Sequence, residues 1–319
     1  MTATLDRAPA SLRKAGARAP RNREALWFYL LASPWIIGFV VLTLGPMLAS
    51  AYLSLTDWDL FTSPAWVGLD NYVKLFTADP VFWKVLGNTA FYSFLSVPLT
   101  MVASVGVAYL LNKPLRGKRI FRTAVYLPTL VPMVATSVLF VWMFAPDTGL
   151  INSFLALFGV DGPAWLLDAA WVKPALILVS VWQIGTSVML LLAGMQGIPR
   201  HLYEAAALDG AGQWQQFRHV TLPMLTPVIF FNLVMGIIGA FQVFAQIYIM
   251  TGNGRSMGGP DNASMMIVPY LFDHAFRFNH MGYASAIAWV LFVILLALTL
   301  LVIRSSSLWV FYENEVRRK

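Results

Sequence analysis

Stretches free of Asp, Glu, Lys and Arg set the rhythm of this chain. Six of them lie between Glu24 and Asp57, Lys84 and Lys113, Arg122 and Asp147, Lys173 and Arg200, Arg218 and Arg255, and Arg277 and Arg304, and each holds 24 to 36 residues. All exceed the roughly 18 apolar residues needed to cross a bilayer as a helix. Backbone in hydrocarbon must satisfy its own hydrogen bonds, so each stretch predicts a helix. The expected spans cover 27–52, 87–112, 123–145, 174–197, 224–250 and 279–303. The chain therefore reads as all-α, a six-span membrane domain over 25–304, with a disordered basic arm at 1–24 and a short tail at 305–319. Pro34, Pro46, Pro98, Pro128, Pro132 and Pro227 fall inside these windows. In a membrane bundle such residues mark kinks or helix starts rather than ends, and a gating hinge is the sharper alternative.

Composition agrees. Of 319 residues, 58% are hydrophobic and only 12% charged, and the mean hydropathy is +0.67. A soluble fold of this size has no interior able to hide so much apolar surface. There is no cysteine, so a disulfide-stapled secreted domain is excluded.

Basic residues orient the spans. Seventeen of the 22 Lys and Arg lie in segments 1–24, 113–122, 200–218 and 304–319. The excess of positive charge belongs on the cytoplasmic side, which places both termini there. The net charge of +7 then calls for no nucleic-acid partner. A signal-peptide reading of the N-terminus fails because the first apolar run is longer than a 7–15-residue signal core. Trp58, Trp66, Trp83, Trp165 and Trp171 flank the opposite ends of the spans. They suit an interfacial belt or an external docking surface.

Chemistry is sparse. No phosphate-binding glycine loop, H-E-x-x-H pair or G-x-S-x-G elbow occurs, and His201, His219, His274 and His280 lack metal spacing. Inside the spans there is no Asp, Glu, Lys or Arg of the kind a coupled carrier or intramembrane enzyme uses. Energy for any transport must come from another polypeptide.

The loop at 199–223 is the informative segment. Pro199 opens a helix on which Tyr203, Ala206, Ala207 and Gly210 share a face, three of them small. Glu204 adds a charge, and Gly210 and Gly212 turn the chain before a second short piece ending at Leu222-Pro223. This is a small-faced knob suited to a socket on a partner.

The pattern Glu204-Ala205-Ala206, two residues, Asp209-Gly210-Ala211, ten residues, Leu222-Pro223 resembles the EAA loop of permease subunits of bacterial ATP-binding-cassette importers. Phe121-Arg122-Thr123, Leu127-Pro128, Val131-Pro132, Gly258-Gly259-Pro260 and Met281-Gly282-Tyr283-Ala284 resemble segments of the sugar-permease group, specifically its maltose-type first permease. One departure is an insertion at 253–257. The resemblance implies a type I importer permease fold and a multi-pass protein of the bacterial cytoplasmic membrane. It implies three partners: a second, sister permease, a dimer of ATPase subunits and an extracytoplasmic solute-binding protein. ATP and Mg would sit on the ATPase, leaving this chain without a cofactor. Glu204, Ala205, Ala206, Asp209, Gly210, Leu222 and Pro223 are then expected to couple to the ATPase. In this fold the helices on either side of the loop line the solute path, so Ser180, Trp182, Gln183, Thr186, Asn232, Gln242, Gln246 and Tyr248 are its candidates. Gln242 and Gln246 stand four apart and are expected on one helical face. Uncharged amides and aromatics suit a neutral sugar; polar side chains in a bundle also tie helices together.

Overall fold

The computed structural model describes residues 21–114, 116–252 and 257–311, with side chains from residue 25 onward. Most of the expected arm at 1–24, the core of the 253–257 insertion and the end of the 305–319 tail lie outside the described residues. The chain divides into two units, Met1–Tyr52 and Leu53–Lys319.

In the first unit, α1 (Arg21–Phe39) passes through one π-helical turn (Val40–Leu44) into α2 (Gly45–Leu53). Pro34 has no N–H for the Leu30 carbonyl four residues back. The Ser33 hydroxyl takes that carbonyl instead, at 2.8 Å. The wide turn ends where Gly45 N–H reaches Val40 O, just before Pro46.

The second unit opens with a two-residue antiparallel ladder, β1 (Thr56–Asp57) against β2 (Ala65–Trp66), and a single turn, α3 (Asp70–Val73). Its axis is α4 (Pro80–Asn112), which begins seven residues before the expected 87. Asp79 caps it, accepting from Val81 N at 3.0 Å and Phe82 N at 3.1 Å, with Pro80 at the first helical position.

Two expected spans are bent pairs. α5 (Lys118–Leu130) meets α6 (Met133–Met143) at 99°. The break falls on Val131, held extended by the proline that follows it. After α7 (Leu150–Ala156), α8 (Val172–Trp182) joins α9 (Gly185–Gly197) at 45°. A Cβ at Gly185 would stand 2.5 Å from Val125 O, so glycine lets α9 close onto α5.

α10 (Arg200–Leu208) and α11 (Gln213–Gln216) lead through a π turn into α12 (Leu222–Phe241). Pro227 repeats the device of α1, the Thr226 hydroxyl taking Pro223 O at 2.6 Å. The expected span 224–250 is not one helix: it stops at Phe241, and α13 (Ala245–Met250) starts anew after Gln242–Phe244. α14 (Ile267–Phe272) and the long α15 (Met281–Trp309) complete the chain. Among the described residues, four helices are long and apolar enough to cross a membrane, or up to six if each bent pair is one span.

α4 packs against α8, α9, α12 and α14. Around it lie three apolar clusters. One joins Phe82 and Val85 to Tyr283 and Ile287, one joins Tyr92 to Phe140 and Leu176, and one joins Ala108 and Leu111 to Leu191 and Leu225. The outward faces stay apolar, with Trp142 76% and Val102 70% exposed, as lipid contact requires.

Polar ties hold the Asp79 end. Asn88 donates to Asn262 O (2.9 Å) and Met265 O (3.1 Å) and accepts from Lys173 Nζ at 3.1 Å. Thr89 accepts from Ile267 N. Tyr270 and Tyr283 both donate to Asp79 Oδ2, tying α14 and α15 to the start of α4. Burial pushes the Asp79 carboxyl up, but these two bonds and the two backbone caps outweigh it and hold the group below its usual range. His274 lies edge-on between Tyr270 and Tyr283, at 4.6 and 4.8 Å, with Nδ1 buried and without a hydrogen-bond partner among the described residues. Burial pushes its pKa down to about 4.

Candidate functional site

Two places gather the residues singled out by the sequence, one at the loop between α9 and α12 and one along α4.

In the loop, Ala-rich sequence favours helix up to Leu208, where Asp209-Gly210 stops it. Gly210 adopts φ +80°, a conformation natural to glycine. Gly210 N–H bonds Ala207 O at 3.0 Å and Ala211 N–H bonds Ala206 O at 2.9 Å. That pair is a Schellman closure made by main chain alone. Gly212 then caps α11, its N–H held by Gln215 Oε1 at 2.8 Å. Tyr203 OH meets Thr221 Oγ1 at 2.9 Å, pinning α10 against the returning chain.

This pinning turns half of the predicted face inward. Tyr203 and Ala206 are half-buried against the second limb, while Ala207 and Gly210 are exposed, together with His201, Glu204, Ala205 and Leu208 at i, i+3, i+4 and i+7. Leu208 is 90% exposed and Trp214 67%. Asp209, Gly210 and Ala206 border a 310 Å³ hollow with His219 and Val220. Leu222 and Pro223 lie at the root of the knob, at the start of α12.

The second place is a pair of adjoining cavities of about 490 and 460 Å³. The first is bordered by Ser180 and Gln183 where α8 breaks, and by Gln242 and Gln246 where α12 breaks. The second is bordered by Thr186, Ser187 and Asn232. Six of the eight predicted path residues thus line these spaces. Trp182 and Tyr248 do not. Trp182 lies edge-on to Phe140 at 6.0 Å, and Tyr248 packs on Phe244 and Phe272 at 5.4 and 5.9 Å.

Gln242 and Gln246 reach the same cavity by a route other than a shared helical face, because the helix between them is interrupted. Gln246 is 2% exposed and spends its Nε2 on Leu176 O at 2.8 Å. Irregular backbone at this depth is tolerated where it borders a cavity or is buried in protein, and Gln242–Phe244 does border one.

Sequence reasoning passed over α4. Tyr92, Ser96, Thr100 and Ser104 recur every four residues and face the cavities. Tyr92 OH meets Ser180 Oγ at 2.6 Å. The signal was a file of hydroxyls at i, i+4, i+8 and i+12. Among the described residues, no charged side chain borders either cavity.

Residues 97–308 match the family model described as binding-protein-dependent transport system inner membrane component. The chain is 43% identical over 296 residues to the probable ABC transporter permease protein YesP of Bacillus subtilis, covering 92% of this chain and 94% of that one. It is 35% identical to the lactose transport system permease protein LacF of Rhizobium radiobacter, covering 86% and 91%. Its fold is similar to a chain in the crystal structure of a bacterial ABC transporter involved in the import of the acidic polysaccharide alginate, with a TM-score of 0.77, 27% identity and coverage of 90% and 96%.

Proposed function

This chain belongs to the family of binding-protein-dependent transport system inner membrane components, the permease subunits of ABC importers, and from that premise we propose that it forms half of a pore for a neutral sugar or oligosaccharide. It is a transport component of the inner membrane, not an enzyme. The reading of the cargo rests on one observation above all: two adjoining cavities edged by hydroxyls and amides and by no charge. Sugar hydroxyls exchange hydrogen bonds with such groups, and the ring's apolar face suits the aromatic and aliphatic remainder. The lactose system of its relative supports the same class of cargo.

The remaining half of the pore belongs to a second permease, a sister chain in this reading. A solute-binding protein delivers the sugar from outside, and a dimer of ATPase subunits holding ATP and Mg drives the cycle from the cytoplasm. Both termini and the loop at 199–223 face the cytoplasm, as the distribution of Lys and Arg supports. The exposed stripe with Glu204, Ala205 and Leu208 meets the ATPase. Glu204 pairs with a basic group there, and the closed turn at Asp209-Gly210 keeps the tip rigid enough to transmit movement.

The test is uptake by the assembled transporter in vesicles over a panel of neutral sugars. Glu204→Ala is expected to stop uptake while the chain remains inserted, because removing one partner of a buried interfacial pair costs about 2–5 kcal/mol. Sugar uptake by the purified chain with no ATPase would overturn the coupling.

A further inference from the structure

The motif Phe121-Arg122-Thr123 and the basic residues before it take no part in the coupling knob or the cavities. Lys113, Arg116, Lys118, Arg119 and Arg122 stand within ten residues, and no Asp or Glu occurs anywhere from 80 to 146. The segment joins α4 to α5 at the knob end of the bundle. Tyr109 packs on Phe217 at 4.7 Å, and Lys113 Nζ donates to Gln213 Oε1 at 3.4 Å.

Lys113 is thereby engaged, and the other four cations are left over. The described residues contain one ion pair, Arg277–Asp273, so no carboxylate among them neutralises Arg116, Lys118, Arg119 or Arg122. Lys118 and Arg122 begin the half-buried face of α5 that Val125 and Thr129 continue, while Arg116 and Arg119 are exposed. That face packs against α9. Arg122 Nε is closed off from solvent and has no hydrogen-bond partner among the described residues. A buried donor left unpaired is costly, and more so on a charged group. Lys118, Arg119 and Arg122 lie within about 6 Å along the helix axis.

The rest of α5 adds a second chemistry. Ile120, Ala124 and Leu127, at i, i+4 and i+7, form an exposed apolar stripe that starts among the cations and runs along the helix. Phe121 is exposed beside it. A free anion would neutralise the cations and leave the stripe bare, and a neutral lipid would do the reverse. A phospholipid with a negative headgroup matches both, and a basic cluster at the cytoplasmic end of a span is where such lipids gather.

We propose that the junction of α4 and α5 is a binding site for an anionic phospholipid of the inner leaflet. Lys118, Arg119 and Arg122 hold the headgroup phosphodiester, and the acyl chains lie along Ile120, Ala124 and Leu127. The leaflet follows from the orientation proposed above; the test needs neither sugar nor ATP, so this site and the sugar-pore reading fail separately.

The assembled transporter, stripped of lipid in a maltoside detergent, is titrated with dioctanoyl phosphatidylglycerol, dioctanoyl phosphatidylcholine or inorganic phosphate while its melting midpoint is followed. Phosphatidylglycerol should raise the midpoint, and the other two at equal concentration should not. Arg119→Gln with Arg122→Gln should raise the half-saturating concentration about tenfold or more, since each basic residue adds to the hold on an anionic lipid. Arg119→Lys with Arg122→Lys should keep most of the response, and Arg304→Gln, a cation removed from α15, should keep all of it. Salt at about 1 M, where the screening length is about 3 Å, should weaken the response of the parent. The proposal is overturned if phosphatidylcholine matches phosphatidylglycerol, if phosphate alone reproduces the shift, or if the Gln pair responds as the parent does. It is overturned equally if Arg304→Gln loses as much as the Gln pair, or if the isolated chain responds and the assembled transporter does not, since the face then belongs to the second permease. Should the Gln pair fail to fold, a parent response unmoved by salt overturns it.

Discussion

Asn88 offers the sharpest test of what holds the Asp79 end of the bundle. It lies on α4, 6% exposed, and makes three bonds with one amide. Two donate to carbonyls of the 261–266 segment and one accepts from the Lys173 ammonium on α8. Asn88→Ala removes all three and leaves two carbonyls and a charged group unsatisfied. Each neutral bond is worth about 1 kcal/mol and the charged one about 1.5–3, so the expected loss is about 3–5 kcal/mol. Purified chain, heated in detergent and followed by size-exclusion chromatography of the surviving monodisperse fraction, should show a midpoint lowered by several degrees. Asn88→Asp separates the contributions. It keeps the acceptor for Lys173 but turns both donors into acceptors facing carbonyls, so it should fall between parent and Asn88→Ala, or below both if the charge is poorly compensated. An Asn88→Ala midpoint within the error of the parent would refute the reasoning, because the three bonds would then be replaceable by water at no cost.

Other outcomes follow from close contacts and from titration. Gly282→Ala would place a Cβ 1.9 Å from Thr56 O, against rigid backbone, and should cost about 1–3 kcal/mol or more in overpacking; Gly87→Ala, with nothing within 4 Å, should be neutral or stabilising in the same melt. The Asp79 carboxyl has a depressed pKa in the fold, so its contribution is present above the unfolded value of 3.8 and is lost as pH falls through the folded value. His274 has a pKa lowered from 6.5 to about 4 by burial. The unfolded chain therefore binds its proton first, and stability should fall as pH drops from 6.5 toward 4. Melting midpoints read against pH should lose that limb in His274→Phe and keep it in Asp79→Asn.

The spans were legible because charge is so scarce that its absence marks membrane depth. The same criterion clipped their ends. Lys84 lies inside α4 and Arg304 inside α15, long side chains of the kind that can carry a charge near a span's end. The Asp79-Pro80 start of α4 was readable as a cap followed by proline, but the charge criterion hid it. The break at Val131-Pro132 was written in proline. The one at Gln242–Phe244 was not, since no proline or glycine stands there; just beyond it Gln246 binds Leu176 O across the bundle, a tertiary contact with no local signature. At the knob, helix and turn were plain from Ala, Asp and Gly. Which face would be exposed was decided by the Tyr203–Thr221 bond, between residues 18 apart whose approach local periodicity does not announce.

The Schellman closure at Gly210 has a consequence for evolution. Its hydrogen bonds join main-chain atoms only, so the outline of the tip is indifferent to which residues decorate it. On the coupling role proposed above, substitutions at Glu204, Ala205 or Leu208 would retune the fit to an ATPase without reshaping the turn itself. A single ATPase could on these terms serve several importers, each permease adjusting a few surface atoms on an invariant frame.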